Sequence, residues 1–303
     1  MRLFDRIKNR IKPLFKEGMI WGVAIRAGHK TPLYSGDQEG FVFIPNSLRY
    51  WRADPFLFEK NGKTYLFAEL FDRFSGKGVI GVASVDSGKC KRFKVCLKKP
   101  YHLSYPCVFE VNDTIYMIPE SNRGGNVVVY KSVEFPYKWE EDHILFEEPG
   151  VDTTPFFPDA KIQTPLFFTT LNSAGSKANS NLYLIGYKKQ KRLLITDEPI
   201  ARSAGHLIIE GDYFIRPVQD CTLSYGQGLV FKKIIKFDNE RFNEIVFSRV
   251  YPKQISVNGI EKHIVGIHTY NKTNHYEVID VAYNVEWSFP YLIRKVIKHV
   301  KRS

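Results

Sequence analysis

Asp54 opens an apolar run, Phe56-Leu57-Phe58, and Glu69 closes the next one, Thr64-Tyr65-Leu66-Phe67-Ala68. Between the runs lies Asn61-Gly62, a dipeptide that favours a tight hairpin turn. A hairpin folds its outer ends together, so the two carboxylates are expected at one rim of one sheet. Carboxylates placed in pairs are what acid–base chemistry at hydroxyls and glycosidic oxygens requires.

The unit recurs. ADPFLFEKNGKTYLFAE, residues 53–69, aligns without a gap on SYPCVFEVNDTIYMIPE, residues 104–120, after a shift of 51 positions. In this register Pro55 matches Pro106, Asn61 matches Asn112, and Glu69 matches Glu120. A third copy begins at Asp152-Thr153-Thr154-Pro155 and a fourth runs from Ser203 to Pro217. A fifth starts at Gly266-Ile267-His268-Thr269 and ends near Asp280. Repeats of about 50 residues, each made of short strands, indicate a radial array of small sheets. The expectation is an all-β chain, a five-bladed β-propeller.

If each inner strand starts near the axis, its first residues form a ring on one face. Asp54, Tyr105, Asp152, Arg202 or His206, and His268 are expected there. The ends of the second strands add Glu69, Glu120 and Arg216, followed by Gln219, Asp220 and Tyr225. Such a set suits a carbohydrate site, where polar groups bond hydroxyls and aromatic rings stack on sugars. Taken singly, each residue also has a structural reading: Glu69 and Glu120 paired with nearby arginines, Asp220 and Arg216 paired with each other. Burying the whole set without use would be costly, which favours function for the ensemble.

Composition is consistent with this. The chain has 303 residues and 15% aromatics, suited to sheets packed face to face. Four cysteines, Cys90, Cys96, Cys107 and Cys221, lack metal-binding spacing, and Cys107 replaces a core phenylalanine of the first repeat. Residues 1–18 and 288–303 are expected to be basic amphipathic helices flanking a propeller over 19–287. Leu3, Phe4, Ile7, Ile11, Leu14 and Phe15 share one helical face, as do Phe289, Leu292, Ile293, Val296, Ile297 and Val300. Lysines and arginines surround both stripes, a pattern that suits an anionic membrane surface or packing on the propeller wall. Much of the +12 net charge lies in these ends, and no nucleic-acid-binding signature accompanies it. With no secretion signal in view, the expected location is cytoplasmic, at the inner face of the membrane. An N-terminal strand, around Trp21–Ile25, is expected to complete the last blade and remove an open edge.

The ordered series ADPFLF, SYPCVFE…IPES, DTTPFF, ARSAGH, RPVQDCTLSYG and IHT resembles the N-terminal domain of glucosamine inositolphosphorylceramide transferases. The likeness covers roughly residues 20–285. It implies membership of the five-bladed propeller superfamily of arabinanases, xylosidases and invertases. There a first-blade Asp acts as base or nucleophile, which Asp54 matches, and a third-blade Asp positions the sugar, which Asp152 matches. The fourth-blade proton donor, a Glu, has no counterpart in Ala201-Arg202-Ser203-Ala204-Gly205-His206.

That departure favours a glycosyltransferase using a sugar nucleotide or sugar phosphate. A phosphate leaves as a stable anion, held by Arg52, Arg202, Arg216 and His206, while Asp54 deprotonates a carbohydrate or lipid-linked acceptor. Two alternatives stand beside it. One is a glycoside hydrolase or phosphorylase with Glu120 or Asp220 as the acid; the other is a glycan-binding propeller without catalysis. No cofactor is specified, and a divalent cation with His268 as ligand is left open.

Overall fold

The computed structural model describes residues 16–28, 31–121, 124–158, 164–171, 180–186, 190–195, 198–238 and 240–300. They form a five-bladed propeller. Blade I holds Tyr50–Lys60, Lys63–Asp72 and Lys77–Asp86, with Lys89–Cys90 and Lys94–Leu97 outermost. Blade II runs Ser104–Val111, Thr114–Glu120, Val127–Glu134, Lys138–Phe146, and blade III Gly150–Phe156, Leu166–Leu171, Leu182–Ile185, Lys191–Ile195. Blade IV runs Ile208–Glu210, Tyr213–Asp220, Gly228–Phe237 and Phe242–Val250. Every blade is antiparallel between sequence neighbours, as short polar turns require. Asn61 and Gly62 take the φ > 0 conformation, and so do Asn112 and Asp113 at the equivalent turn of blade II.

Blade V is made from both ends of the chain. Tyr276–Val285 pairs with Ile264–Gly266 and Tyr270–Lys272 on its inner side and with Gly18–Ala27 on its outer side. Phe41–Ile44 follows outside Gly18–Ala27, and Val257–Asn258 joins it in parallel. The expected N-terminal strand therefore closes the ring, in antiparallel register from Gly18↔Val285 to Ala27↔Tyr276. Closure hides an edge that would otherwise offer unpaired backbone groups.

The core lies between blades rather than within them. Phe56, Phe67 and Ile80 of blade I pack against Val108, Met117 and Tyr130 of blade II. Phe109, Val127 and Val129 then meet Phe167, Leu171 and Ile185, and Phe156 and Phe168 meet Ile234. Ile215, Leu229 and Phe231 face Ile279 and Val281, and Val23, Ile25 and Val278 face Leu57 and Leu66. Cys107 is buried in the first of these interfaces, as expected of a core residue, and all four cysteines are free.

One α-helix is present among the described residues, Phe289–Val300. The N-terminal helix expected over 1–18 falls largely outside them, and its last residue, Gly18, already belongs to a strand. Among the described residues no helix is long and apolar enough to cross a membrane.

Closure through Gly18–Ala27 has a measurable consequence. Val23 is fully buried between blades V and I, whereas Met19 on the same strand is 44% exposed. A carboxylate at Val23 has no partner there, so Val23→Asp is expected to cost more than about 3 kcal/mol in urea unfolding. Met19→Asp should stay within about 0.5 kcal/mol. Equal effects of the two would show that the strand does not close the ring.

Candidate active site at the propeller axis

Three inner strands carry the same local distortion. Pairing jumps between Ala53 and Phe56, between Ser104 and Cys107, and between Val151 and Thr154. Each bulge places one residue in the left-handed region: Asp54 at φ 49°, Tyr105 at 45° and Asp152 at 48°. A non-glycine residue is held there at some cost, and bulges of this kind re-aim a side chain out of the pleat. Pro55 and Pro106 contribute, because proline cannot donate to the ladder and disfavours the right-handed helical region just before it. The backbone thus turns Asp54, Tyr105 and Asp152 into equivalent positions around the axis. Directly across their strand pairs, Glu69 opposes Ala53 and Glu120 opposes Ser104.

Asp54 is held from several directions. Its Oδ2 accepts the Tyr105 N–H at 3.1 Å and its Oδ1 accepts the Thr269 hydroxyl at 3.0 Å. His268 Nε2 stands 3.5 Å from Asp54 Oδ1, and His268 Nδ1 is 2.6 Å from Asp280 Oδ2. Asp280 in turn accepts the backbone N–H groups of Asp54, His268 and Thr269. Trp21 stacks on the His268 ring at 3.9 Å, and Tyr225 meets that ring edge-on at 5.1 Å. The result is a carboxylate–imidazole–carboxylate chain fixed by two aromatic walls. Burial pushes the Asp54 carboxyl up to about 6, helped by the charges of Asp280 and Asp152 and opposed by His268. Burial disfavours the His268 imidazolium, yet the Asp280 and Asp54 carboxylates outweigh it and leave its pKa raised.

A second group lies alongside. Arg202 is ion-paired with Asp152 and reaches Glu120 Oε2 with Nη2 at 3.3 Å. Gln219 donates to Asp152 Oδ2 at 2.7 Å, and the Arg202 guanidinium lies 5.5 Å from the centre of the Tyr225 ring. Burial first, and then the Asp152 charge, push Glu120 up to about 8 despite Arg202. Glu69 is raised well above the usual carboxylate range by burial and by the charges of Asp54 and Glu120. Its Oε1 lies 3.2 Å from His102 Nε2 but makes no well-aligned hydrogen bond. A cleft of about 450 Å³ opens beside Glu120, lined also by Phe71, Gly76, Lys77, Tyr101 and His102. Gly76 and Lys77 in its wall stand at the turn that leads into the strand Lys77–Asp86.

Below this ring the pore is plugged. The Tyr105 hydroxyl accepts the Gly205 N–H at 2.8 Å and lies 2.8 Å from the Thr154 hydroxyl. Gly205 has φ 139°, and a Cβ there would come within 2.0 Å of the Tyr270 carbonyl oxygen, so only glycine fits. His206 lies against Phe56 at 5.0 Å, and burial lowers its pKa to about 4, which keeps it neutral.

Four of the expected residues therefore need correction. Arg52 donates to the Pro45 carbonyl and stacks over Phe93, bracing the linker between blades V and I. Arg216 is fully buried and bound to Glu244 and the Ala201 carbonyl. Asp220 turns to Arg249 and Tyr251, each at 3.3 Å, and pairs with neither Arg216 nor the pore. His206 is neutral and belongs to the plug. Asp54, Glu69, Tyr105, Glu120, Asp152, Arg202, Gln219, Tyr225 and His268 do converge.

Sequence reading missed Asp280, Thr269, Trp21 and His102. Asp280 ends the fifth repeat and Thr269 follows His268, so both were visible as strand residues without an assigned partner. Trp21 reaches the site only through ring closure. His102 precedes the second repeat, outside its pattern.

Asp54, His268 and Asp280 could each offer a metal one ligand atom, all within 4.8 Å of one another. Backbone N–H groups and the imidazole already occupy both Asp280 oxygens, so the trio fits a hydrogen-bonded chain better than a cation cage.

Residues 45–282 match the family model described as glucosamine inositolphosphorylceramide transferase 1, N-terminal. The enzyme of that name from Oryza sativa subsp. indica is 31% identical over 228 residues, which cover 71% of this chain and 29% of that protein. Its Arabidopsis thaliana counterpart is 31% identical over 205 residues, 64% of this chain and 26% of that protein. The match spans less than a third of either relative. Among solved structures, the catalytic domain of a Coprinopsis cinerea GH62 α-L-arabinofuranosidase shares the fold at TM-score 0.59 and 11% identity, covering 88% of this chain and 98% of that one. An endo-1,4-β-xylanase from Bacteroides thetaiotaomicron does so at 0.55 and 13%, covering 80% and 89%. With its repeats, bulges and carboxylate ring in place, the chain belongs to the family of the N-terminal domain of glucosamine inositolphosphorylceramide transferase 1.

Proposed function

We propose that the chain is a carbohydrate-active enzyme that transfers a glycosyl group at the pore mouth, with Asp54 as base and Glu120 as acid. The observation that carries this is the placement of Asp54 and Glu120 at one rim in different settings. Asp54 accepts hydrogen bonds from the Tyr105 N–H and the Thr269 hydroxyl, with His268 Nε2 3.5 Å away. Glu120 borders the open cleft, in contact with Arg202 Nη2 at 3.3 Å and with the Asp152 carboxyl. In the reaction, the bond from the anomeric carbon to the leaving oxygen breaks and that oxygen takes the Glu120 proton. The attacking water or acceptor hydroxyl gives its proton to Asp54 as the new bond forms. Tyr225, 47% exposed, offers a ring against which a sugar can stack.

The charge balance supports a neutral leaving group over a phosphate. Among the described residues, Glu120, Asp54, Asp152 and Asp280 meet Arg202 and His268, and Glu69 meets His102. Of the four groups expected to hold an anion, Arg52 and Arg216 lie elsewhere and His206 is neutral. Transfer from a phosphate-activated donor keeps one support, the relatives' name as transferases, with Arg202 as the residue available to the phosphate. Both reactions use Asp54 in the same role and differ in whether Glu120 donates a proton.

Turnover of a glycoside should therefore follow a bell in pH, with limbs near the Asp54 value of about 6 and the Glu120 value of about 8. Asp54→Asn should lower kcat by about 10²–10⁴-fold on every substrate, with far-UV circular dichroism unchanged. Glu120→Gln should lose the alkaline limb and turn over glycosides of alcohols poorly, yet recover on nitrophenyl glycosides, whose leaving group needs no proton. Undiminished turnover in Asp54→Asn would overturn the assignment. Activity with sugar nucleotides alone, indifferent to Glu120→Gln, would select the phosphate-donor reaction.

The same burial predicts a stability effect. A carboxyl whose pKa is raised on folding loses stability as pH climbs from its ordinary value, 4.5, through its folded value of about 8. Glu120→Gln removes that loss. The variant should be more stable than the parent by about 3–5 kcal/mol above pH 8, with the gap closing below pH 4.5. A gap that widens in acid would mean Glu120 is stabilised as the anion.

A further inference from the structure

The helix Phe289–Val300 half-buries Leu292 and Ile293 of its apolar stripe and leaves the rest of that stripe exposed. Phe289, Val296 and Ile297 share one face of the helix and are 60%, 55% and 44% exposed. Its other sides carry Arg294, Lys295 and Lys298, and the helix contains no acidic residue. Among the described residues, its first turns make contact with the body. Pro290 is buried, Ser288 Oγ accepts from Arg73 Nη2 at 2.8 Å, and Arg294 lies over the Phe71 ring at 5.7 Å.

An apolar face left to water is unfavourable, and soluble proteins keep such patches for a partner. Here the partner's chemistry is indicated by charge. An exposed apolar face flanked by lysine and arginine, with no carboxylate, complements an anionic lipid surface: apolar side chains enter the acyl boundary while cations meet headgroups. Position adds to this. Phe71, beneath Arg294, also lines the cleft beside Glu120, and a Cβ at Gly76, another cleft residue, would come within 3.2 Å of Arg294. The helix is thus mounted on the rim of the candidate active site.

We propose that this helix docks on an anionic bilayer and sets the cleft beside Glu120 at the level of the lipid headgroups. The substrate class that follows is a sugar carried on a lipid. That last step rests on the carbohydrate reading of the site; the membrane contact does not.

The test is co-sedimentation of the full chain with vesicles of phosphatidylcholine, with and without about a third phosphatidylglycerol. Binding is expected only to the anionic vesicles and should weaken with salt. The triple variant Phe289→Ser, Val296→Ser, Ile297→Ser, and separately Lys295→Gln with Lys298→Gln, should each lower binding by about tenfold or more. Both variants should keep the parent's thermal midpoint. Failure of the parent chain to bind anionic vesicles, or equal binding by the triple variant, overturns the proposal. So does a triple variant that binds vesicles normally but unfolds early, since the face would then be covered by the chain itself. Turnover of soluble glycosides is read in parallel: its absence counts against the site, while vesicle binding stands or falls alone.

Discussion

The structure depends on keeping an excess of carboxylates close together and away from water. Among the described residues, Asp54, Glu69, Glu120, Asp152 and Asp280 share the pore mouth with Arg202, His268 and His102. So many like charges at short range cannot all stay ionised, and the structure divides them. Asp280 is satisfied by backbone N–H groups and by His268, and Asp152 by Arg202 and Gln219. Burial raises the Glu69 carboxyl well above its ordinary range and the Glu120 carboxyl to about 8. Asp54 falls between the two conditions. Rigidity maintains the division: the bulges aim the side chains, the Tyr105–Thr154–Gly205 plug spans the axis, and Gly18–Ala27 seals the ring.

That division also bears on mechanism. A carboxylate fixed as an acceptor beside a carboxylic acid facing a cleft provides the two halves of proton transfer during glycosyl exchange. An arrangement built for a departing phosphate would instead concentrate positive charge at the mouth. Among the described residues, Arg202 is already shared between two carboxylates.

The repeat made the fold readable because each blade restates the same hairpin. Asn61-Gly62 and Asn112-Asp113 mark the turns, and Pro55 and Pro106 mark the bulges. Position in the repeat located Asp54, Tyr105, Glu69 and Glu120 correctly. It also located Asp152, although Pro155 lies farther along there than its counterparts in the first two blades. The errors share one cause. Arg52, Arg216 and Asp220 are charged residues near strand ends, and alternation in a strand decides whether such a residue faces the axis or a neighbouring blade. Glu244 and Arg249, on the outermost strand of blade IV, claimed Arg216 and Asp220, and nothing local in the sequence announces that pairing. Trp21 was hidden because it reaches His268 only after the chain's two ends have met. His102 and Asp280 are assigned by three-dimensional proximity alone.

The most direct test is the protonation state of the two carboxyls in the resting protein. Carboxyl ¹³C chemical shifts, assigned through Asp54→Asn and Glu120→Gln, can be followed across the pH range. The account predicts that Glu120 stays protonated at neutral pH and titrates near 8, while Asp54 titrates near 6. Two carboxyls both ionised well below neutrality would contradict it, because neither the acid nor the division of charge in the pore would then exist.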